Sequence, residues 1–166
     1  IASCLVGSEM CIRDRENKFR LVFEKMNLKP GDRHLDVGCG WGSMVRYAAR
    51  QGVKSLGVTL SKEQAEWAQA KIKEEGLEEL AEVRFLDYRD VTETGFDGVS
   101  SIGLLEHIGV NNYASYFEFL AGKLRPGGVM VNHCITYPDN HKTPQGDFIN
   151  RYIFPDGELT GSGTII

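Results

Sequence analysis

The sequence predicts an α/β fold in which a doubly wound, mostly parallel sheet carries helices on both faces. Short apolar segments rich in β-branched residues alternate along the chain with amphipathic segments, and this alternation is typical of parallel strands joined by crossover helices. A glycine-rich turn at residues 38–42 follows the first apolar segment and opens an amphipathic one. Because ligands bind at the carboxyl ends of the strands in such folds, this turn marks the expected binding edge.

The first predicted element is an amphipathic helix over residues 16–27, followed by a breaker at residues 28–32. Its apolar side chains recur at the i, i+3, i+4, i+7 spacing of one helix face, and they are Phe19, Val22, Phe23 and Met26. Strands and helices then alternate. The predicted strands cover residues 33–37, 53–59, 81–86, 96–102 and 129–136, and the predicted helices cover residues 41–51, 61–75 and 113–124.

Residues suited to helix and turn ends mark several of these boundaries. Ser61 and Gln64 form a capping-box pattern, in which each side chain would bond the other's backbone N–H. Asn111 or Asn112 would cap the last predicted helix. The sequence Arg-Pro-Gly-Gly at residues 125–128 predicts a turn before the fifth strand.

Composition narrows the classes of function. The chain has 166 residues, 42% hydrophobic and 25% charged, which is the size of one domain and an ordinary globular composition. Its net charge is −4 and it has no basic stripe, so nucleic acid is not an expected partner. No apolar run has the length of a transmembrane segment. The cysteines form no C-x-x-C pair and the histidines lack metal-ligand spacing, so we predict a reduced, cytoplasmic setting and no metal site.

Residues 1–15 show no helical or strand period, and their basic residues follow the apolar patch, the reverse of a signal peptide. The stretch at residues 5–15 is similar to translated sequencing-adapter readthrough. We therefore predict that residues 1–15 are a non-native segment and that the domain occupies residues 16–166. Cys4 and Cys11 are given no role.

The glycine corner predicts a nucleotide-type ligand. Its spacing, Gly38-x-Gly40-x-Gly42, differs from the G-x-G-x-x-G expected for NAD and fits the tighter turn of S-adenosylmethionine (SAM) methyltransferases. Glycines let the backbone approach a ligand closely, and free N–H groups at a helix start favour electronegative atoms. Asp36, just before the turn, would anchor one end of the ligand by hydrogen bonding. Cys39 and Trp41 complete the predicted cofactor-binding corner.

The end of the second strand lacks the acidic residue that usually binds a ribose diol. Thr59 occupies that position, and Leu60, Ser61 and Gln64 follow it. A helix cap alone accounts for Ser61, whereas contact of Thr59 or Gln64 with a ribose is equally compatible with the pattern. Both interpretations stay open at this point.

Asp87, Tyr88 and Arg89 follow the third strand, where an adenine ring lies in a SAM fold. Asp87 would accept a hydrogen bond from the exocyclic amine while Tyr88 or Arg89 offers a flat face. An ordinary polar loop with an Asx turn explains the same residues equally well.

Two polar residues lie at the ends of neighbouring apolar strands. Glu106 follows the fourth strand within an apolar stretch, and a buried carboxylate there needs a partner or an altered pKa. His133 lies within the fifth strand. A strand histidine alone is usually a hydrogen-bonded core residue. Together, however, Glu106 and His133 suggest a catalytic pair. The aromatic stretch at residues 148–154 is either core or the wall of an apolar substrate cavity.

Six stretches in order resemble the cyclopropane-fatty-acyl-phospholipid synthase family, which includes the mycolic acid cyclopropane synthases. They are residues 35–42, 57–64, 87–90 and 101–109, then His133, then residues 152–157. The Thr-Leu-Ser-x-x-Gln run that lacks an acidic residue is itself a mark of this family. The resemblance covers residues 16–166 and implies a Rossmann-like class I SAM-dependent methyltransferase.

The resemblance also implies a reaction. A family member transfers a methylene or methyl group from SAM to the cis double bond of an unsaturated phospholipid acyl chain at the membrane surface. The base is a bound bicarbonate, and the matching positions that would hold it here are Glu106, His133 and the backbone amide of Ile102. A cytoplasmic protein, peripheral at the inner membrane surface, is therefore expected. A homodimer is left open as its assembly.

Two departures from the family pattern limit the resemblance. The family's bicarbonate-binding cysteine lies upstream of residue 16 and its tyrosine beyond Ile166, so we expect a chain truncated at both ends and a sheet incomplete at its C-terminus. The alternatives are a SAM-dependent N- or O-methyltransferase acting on a small molecule and a non-catalytic SAM-binding remnant. An NAD oxidoreductase fits the glycine spacing worst.

Overall fold

The strands of this protein form one parallel sheet in the order β3-β2-β1-β4-β5. These strands are β1 (Arg33–Val37), β2 (Lys54–Thr59), β3 (Ala81–Phe85), β4 (Phe96–Ile102) and β5 (Leu124–His133). The computed structural model describes residues 9–138 and 157–165. β1 is central, because it pairs with β2 on one side and with β4 on the other. The predicted parallel sheet is confirmed.

Helices pack on both faces of this sheet. They are α1 (Glu9–Met26), α2 (Ser43–Arg50), α3 (Lys62–Glu74), α4 (Tyr113–Lys123) and the short α5 (Ser162–Ile165). One face is covered by α1, α2 and α3, and the other by α4. The doubly wound architecture is therefore confirmed as well. None of the helices in the described ranges is long and apolar enough to cross a membrane.

The core consists of apolar side chains that alternate between the two faces of the strands, as the two-residue period of a β-strand requires. Toward α4, a buried cluster joins strand residues to helix residues: Leu35, Val37, Leu56, Val58, Val99, Tyr116 and Leu120. Toward α1 and α2, a second cluster consists of Val22, Met26, Leu28, Met44, Ala48 and Val53. The predicted inward residues of α2 are buried as expected: Val45, Ala48 and Ala49.

α1 begins at Glu9 and not at residue 16, so the prediction that residues 9–15 lack regular structure is wrong. The side chains of residues 13–17 are exposed, and an exposed helical segment shows no apolar period. Once the packed turns of residues 19–26 have nucleated a helix, adding further residues costs little free energy. A criterion based on apolar spacing therefore misses this part of the helix.

β5 also differs from its prediction, because it spans Leu124–His133 and not residues 129–136. Its first pair joins Phe96 to Leu124 and its next joins Gly98 to Val129, so the register shifts between them. The predicted turn at residues 125–128 is thus an irregularity inside the strand. Gly127 has a φ of 79° there, and this left-handed conformation favours glycine.

The predicted caps are only partly formed. The Ser61 hydroxyl accepts the Gln64 backbone N–H at 3.2 Å, as a helix cap does. The Gln64 side chain does not return the bond, because it accepts from the Thr59 hydroxyl instead. Asn112 occupies the cap position of α4, but its side-chain amide donates to the carbonyl of Ile108 at 2.8 Å. Ser61 therefore caps α3 as predicted, but the reciprocal bond from Gln64 and the side-chain cap by Asn112 are not formed.

Close contact between α2 and β2 depends on Gly57. A Cβ at this position would lie 2.6 Å from Cγ2 of Val45 and 2.9 Å from Cβ of Cys39. Both distances are shorter than real Cβ contacts allow. Gly57 therefore lets the glycine corner and its helix pack directly on the second strand.

We predict that Gly57→Ala lowers the free energy of unfolding by about 1–3 kcal/mol, because the added methyl group overpacks this contact. Urea denaturation monitored by circular dichroism measures the change. Gly122→Ala in α4 is the matched control, since a Cβ there meets nothing within 4 Å and alanine favours the helix by about 0.5–1 kcal/mol. Equal stability of Gly57→Ala and the unmodified protein would contradict the close packing.

Candidate functional site

A cavity of about 780 Å³ lies at the carboxyl ends of the strands. Three stretches that were predicted to bind a cofactor meet in its wall: Gly38, Gly40, Thr59, Leu60, Ser61, Gln64, Asp87, Tyr88 and Arg89. The wall also contains residues that were not predicted: Val58, Leu86, Gly103, Leu104, His107, Ile108, Asn112 and Ser115. Its size is in the range of about 300–1,000 Å³ that holds small-molecule ligands.

The glycine corner forms the floor of this cavity by way of its backbone. Gly38 and Gly40 have φ values of 72° and 54°, a left-handed conformation that side chains disfavour. The N–H groups of Gly38 and Cys39 both donate to the carbonyl of Val58 at 3.0 Å, which ties the turn to β2. A Cβ on Gly40 would meet nothing within 4 Å, so the backbone here lies open to the cavity.

Four predicted cofactor-binding residues lie outside the cavity wall. Asp36 is buried beneath it. Cys39 faces Gly57. Trp41 is half exposed and packs edge-on against Trp67, with ring centroids 5.4 Å apart. At Gly42 a Cβ would lie 2.9 Å from the Cβ of Ala68. Gly42 therefore permits helix packing, and contact of these four residues with a ligand stays a prediction.

Asp36 carries the most perturbed carboxyl group of the site. It is 3% exposed, and its Oδ1 accepts a hydrogen bond from the Ser100 hydroxyl. Burial raises the pKa of Asp36 to about 7, against the opposing effect of that hydrogen bond. Its neighbour along β1, His34, is fully buried, and burial lowers the pKa of His34 to about 3. His34 is therefore a neutral imidazole at physiological pH.

Thr59 and Gln64 bind each other at the end of β2. The Thr59 hydroxyl donates to Oε1 of Gln64 at 2.9 Å, and it accepts the Ser61 backbone N–H at 3.3 Å. This bond uses the side-chain oxygen of Gln64 and leaves its amide nitrogen to donate to another group. The Gln64 side chain also lines the cavity. Thr59 and Gln64 therefore both line the candidate site, and the hydrogen bond between them explains their spacing in the sequence.

The Asp87 loop forms the Asx turn that the sequence allowed. Oδ1 of Asp87 accepts the Arg89 backbone N–H at 2.9 Å, and Oδ2 accepts from the Arg89 guanidinium at 2.6 Å. The hydrogen bond from Arg89 lowers the pKa of Asp87. The Tyr88 ring packs edge-on against Tyr116 and Phe119. All three loop residues nevertheless line the cavity, so the Asx turn and the ligand-binding interpretation are compatible.

Glu106 lies outside the cavity wall as a buried carboxylate, 2% exposed. Its Oε1 accepts the Ile135 backbone N–H at 2.7 Å. Its Oε2 is buried with no hydrogen-bond partner among the described residues. Because a buried carboxylate oxygen without a donor costs free energy, this atom marks a position that suits a hydrogen-bond donor.

The other two predicted catalytic residues lie at neighbouring strand ends. Ile102 and His133 are paired in the register of β4 and β5. The Gly103 N–H then donates to the carbonyl of His133 at 2.8 Å. The Glu106 carboxylate bonds the segment just after this strand, at Ile135, two residues beyond His133. The fold thus gathers Ile102, His133 and Glu106 at one sheet edge, while His133 itself is exposed.

The groups that surround Glu106 were not predicted from the sequence. The Glu158 N–H donates to the Glu106 carbonyl at 2.7 Å, and the Glu158 carboxylate accepts the Val110 N–H at 3.0 Å. Burial raises the pKa of Tyr113, with further contributions from the charges of Cys134, Glu158 and Glu106. Glu158 is far from Glu106 in the chain, so no spacing pattern links them. Its position just after the last family-like stretch was the available signal.

The aromatic stretch at residues 148–154 lies outside the residues that the structure describes. Within residues 9–138 and 157–165, no group of three or more His, Cys, Asp or Glu side chains has a metal-binding arrangement.

Comparison with known proteins places these features in a family. A family model described as mycolic acid cyclopropane synthetase matches residues 9–166. A probable fatty acid methyltransferase of Mycobacterium tuberculosis is 66% identical over 152 residues, covering 91% of this chain and 36% of the relative. The Escherichia coli K12 cyclopropane-fatty-acyl-phospholipid synthase is 40% identical over 148 residues, covering 87% of this chain and 37% of the relative.

A solved structure shares the fold. The crystal structure of a mycolic acid cyclopropane synthase complexed with SAH and CTAB has a TM-score of 0.78 and 32% identity, covering 90% of this chain and 56% of that chain. This likeness confirms the predicted Rossmann-like class I methyltransferase fold. The chain spans little more than a third of the length of the two curated relatives.

The perturbed Asp36 gives a test of the site's electrostatics. Its pKa is about 7 in the folded state against an ordinary value of 3.8, so between these pH values the folded state holds a proton that the unfolded state has released. The carboxyl group therefore stabilises the fold at low pH, and this contribution is lost as pH rises toward 7. We predict that the stability of Asp36→Asn relative to the unmodified protein grows over this window, by at most about 1.4 kcal/mol per pH unit.

Urea denaturation at half-unit steps from pH 4 to pH 8 measures this difference. His34, whose folded-state pKa is about 3, stays neutral in the folded protein over this range. A difference that stays constant across the window would show that Asp36 is ionised in the folded protein throughout.

Proposed function

Since the chain belongs to the mycolic acid cyclopropane synthetase family, we propose that it binds SAM in the cavity and transfers a methylene or methyl group to an unsaturated lipid acyl chain. The observation that carries this proposal is the convergence of the glycine corner, the Thr59–Gln64 segment and the Asp87–Arg89 loop on one cavity. The three stretches are separated in sequence and meet only at the carboxyl edge of the sheet. A relative named cyclopropane-fatty-acyl-phospholipid synthase supports the lipid substrate.

The residues present suit SAM. The open backbone at Gly40 would let a bulky ligand approach the start of α2, where backbone N–H groups favour electronegative atoms. Thr59 and Gln64 would face the ribose, and Asp87 would accept from the adenine amine, with Tyr88 and Arg89 beside the ring. The structural neighbour complexed with SAH supports this assignment. When bound, SAM supplies an electrophilic methyl group carried on a positively charged sulfur.

Glu106 is the residue that we assign to the bicarbonate. Its Oε2 lacks a donor among the described residues, and the hydroxyl of a bicarbonate ion is a donor of the right kind. Addition of a methyl group to an alkene places positive charge on the lipid, and an anion held beside that charge stabilises it. When bound, bicarbonate supplies the base that takes the departing proton.

His133 and the backbone N–H of Ile102 complete the proposed anion site. Their strands are paired at this point, so the two groups approach from adjacent strand ends while Glu106 approaches from the loop after β4. Two donors and one acceptor match the acceptor oxygens and the single hydroxyl of bicarbonate. The role of each residue follows from its hydrogen-bonding capacity.

The setting of the reaction is also part of the proposal. We propose that the substrates are acyl chains of phospholipids and that the protein acts in the cytoplasm at the inner membrane surface. A homodimer is compatible with this role.

The non-native origin of residues 1–15 stays a prediction.

Isothermal titration with SAM, with NAD as the control ligand, tests the cofactor. We expect SAM to bind and NAD not to bind. Asp87→Asn removes a negative charge from the cavity wall, and because a hydrogen bond to a charged group contributes about 1.5–3 kcal/mol, we expect SAM affinity to fall by at least about tenfold. Asp90→Asn is the matched control, because Asp90 is exposed and outside the cavity lining. Binding of NAD in place of SAM would overturn the proposal.

We predict that Glu106→Gln lowers the turnover number by about a hundredfold and changes SAM affinity less than threefold, because Glu106 holds the anion and not the cofactor. Turnover is measured as radioactive methyl transfer from SAM to vesicles of unsaturated phospholipid in the presence of bicarbonate. The control variant is Glu118→Gln, an exposed position on α4. An equal loss of SAM affinity would contradict the assigned role.

The same assay separates the alternative functions. Bicarbonate-dependent product from unsaturated phospholipid supports the lipid transferase. Methyl transfer only to small amines or alcohols would favour an N- or O-methyltransferase, and SAM binding without transfer to any acceptor would favour a non-catalytic module.

A further inference from the structure

A chain of buried polar side chains crosses the centre of the sheet beneath the cavity. Nδ1 of His34 lies 2.7 Å from the Ser55 hydroxyl on β2, and Nε2 lies 2.9 Å from the Ser100 hydroxyl on β4. Ser100 in turn donates to Oδ1 of Asp36. All four residues are at most 4% exposed. Three adjacent strands therefore contribute to one continuous hydrogen-bonded row.

The direction of each bond in this row follows from the residues. An ionised Asp36 only accepts, so the Ser100 hydroxyl donates its proton to it. The Ser100 oxygen then accepts from His34, which places the imidazole proton on Nε2. Nδ1 is left as an acceptor for the hydroxyl of Ser55. Because His34 is neutral, every donor in the row points toward Asp36, and such aligned bonds polarise one another.

We propose that His34 is a positioning residue for SAM binding, which acts through Ser100 to fix the Asp36 carboxylate as an ionised acceptor beneath the glycine corner. The expected effect on SAM binding rests on the proposed function, since a carboxylate there would favour the cationic ammonium group of SAM. The row itself is a property of the protein without ligand. It explains why a histidine and two serines occupy strand positions that are otherwise apolar.

The groups around Asp36 determine what its titration reports. The two nearest in β1 and β4, His34 and Ser100, are uncharged. From the glycine corner, Cys39 faces Asp36, and burial raises the pKa of its thiol, which stays protonated. From α4, the phenol of Tyr116 has its pKa raised by burial and also stays neutral. A titration of this site near neutral pH therefore belongs to Asp36.

The test is the titration of Asp36 by NMR of the protein labelled with ¹³C at aspartate carboxyl groups, assigned with Asp36→Asn. We expect Ser100→Ala to raise the Asp36 midpoint by about one pH unit, because the ionised form loses its hydrogen bond. His34→Leu should raise it in the same direction. His34→Gln, which keeps an N–H donor toward Ser100, should restore part of the shift.

Two controls separate positioning from general damage to the core. Ser101→Ala removes a buried hydroxyl from the next position of β4, where it bonds Tyr116 on the opposite face, and it should leave the Asp36 midpoint unchanged. His34→Leu combined with Ser100→Ala should shift the midpoint no further than Ser100→Ala alone, since His34 acts through Ser100. Full additivity of the two shifts, or no shift in Ser100→Ala, would overturn the proposal.

Titration calorimetry with SAM between pH 5.5 and pH 8.5 tests the consequence. In the unmodified protein the affinity should rise with pH by at most tenfold per unit up to the Asp36 midpoint and then level off. In Ser100→Ala the plateau should begin at higher pH. If SAM does not bind, the proposed function fails while the NMR titration still decides the inference. If SAM binds and the pH profile of Ser100→Ala is unchanged, the inference fails alone.

Discussion

The central strand β1 is enclosed on both edges and both faces, and this burial governs the arrangement of the residues around it. Every residue of this strand after Arg33 is buried, and the strand pairs with β2 along one edge and with β4 along the other. Polar side chains on such a strand must find partners inside the protein. His34 and Asp36 do so in the adjacent strands. The centre of the fold is therefore held by polar contacts as well as by apolar packing.

The same constraint produces the candidate site. Parallel strands end at one edge of the sheet, so the loops that follow them converge there whatever their separation in sequence. The glycine corner turns tightly because Gly57 lets α2 approach β2. The cavity is formed where this turn, the start of α3 and the loop after β3 meet. A central strand buried in this way leaves the carboxyl edge as the place where backbone and polar groups become accessible.

The site contains two regions with different physical properties. The cavity wall is lined by exposed backbone and by polar groups that bind one another, such as Thr59 with Gln64 and Asp87 with Arg89. Glu106 lies behind it in a drier environment, with one oxygen bonded to Ile135 and the other without a donor. A polar region suits a cofactor with many hydrogen-bonding groups. A buried carboxylate beside apolar residues suits a reaction from which water is excluded.

The fold class, four of the five strand positions and the three stretches that line the cavity were predictable from the sequence, because local apolar period and glycine spacing carry that information. The start of α1 at Glu9 and the irregularity inside β5 were not, since the exposed residues 13–17 have no apolar period and the bounds of β5 depend on its pairing with β4. Three features required the folded structure: which predicted residues line the cavity, the hydrogen bond from Glu158 to Glu106, and the connection of His34 to Asp36 through Ser100. These are contacts between distant parts of the chain, and their geometry exists only after the strands have paired.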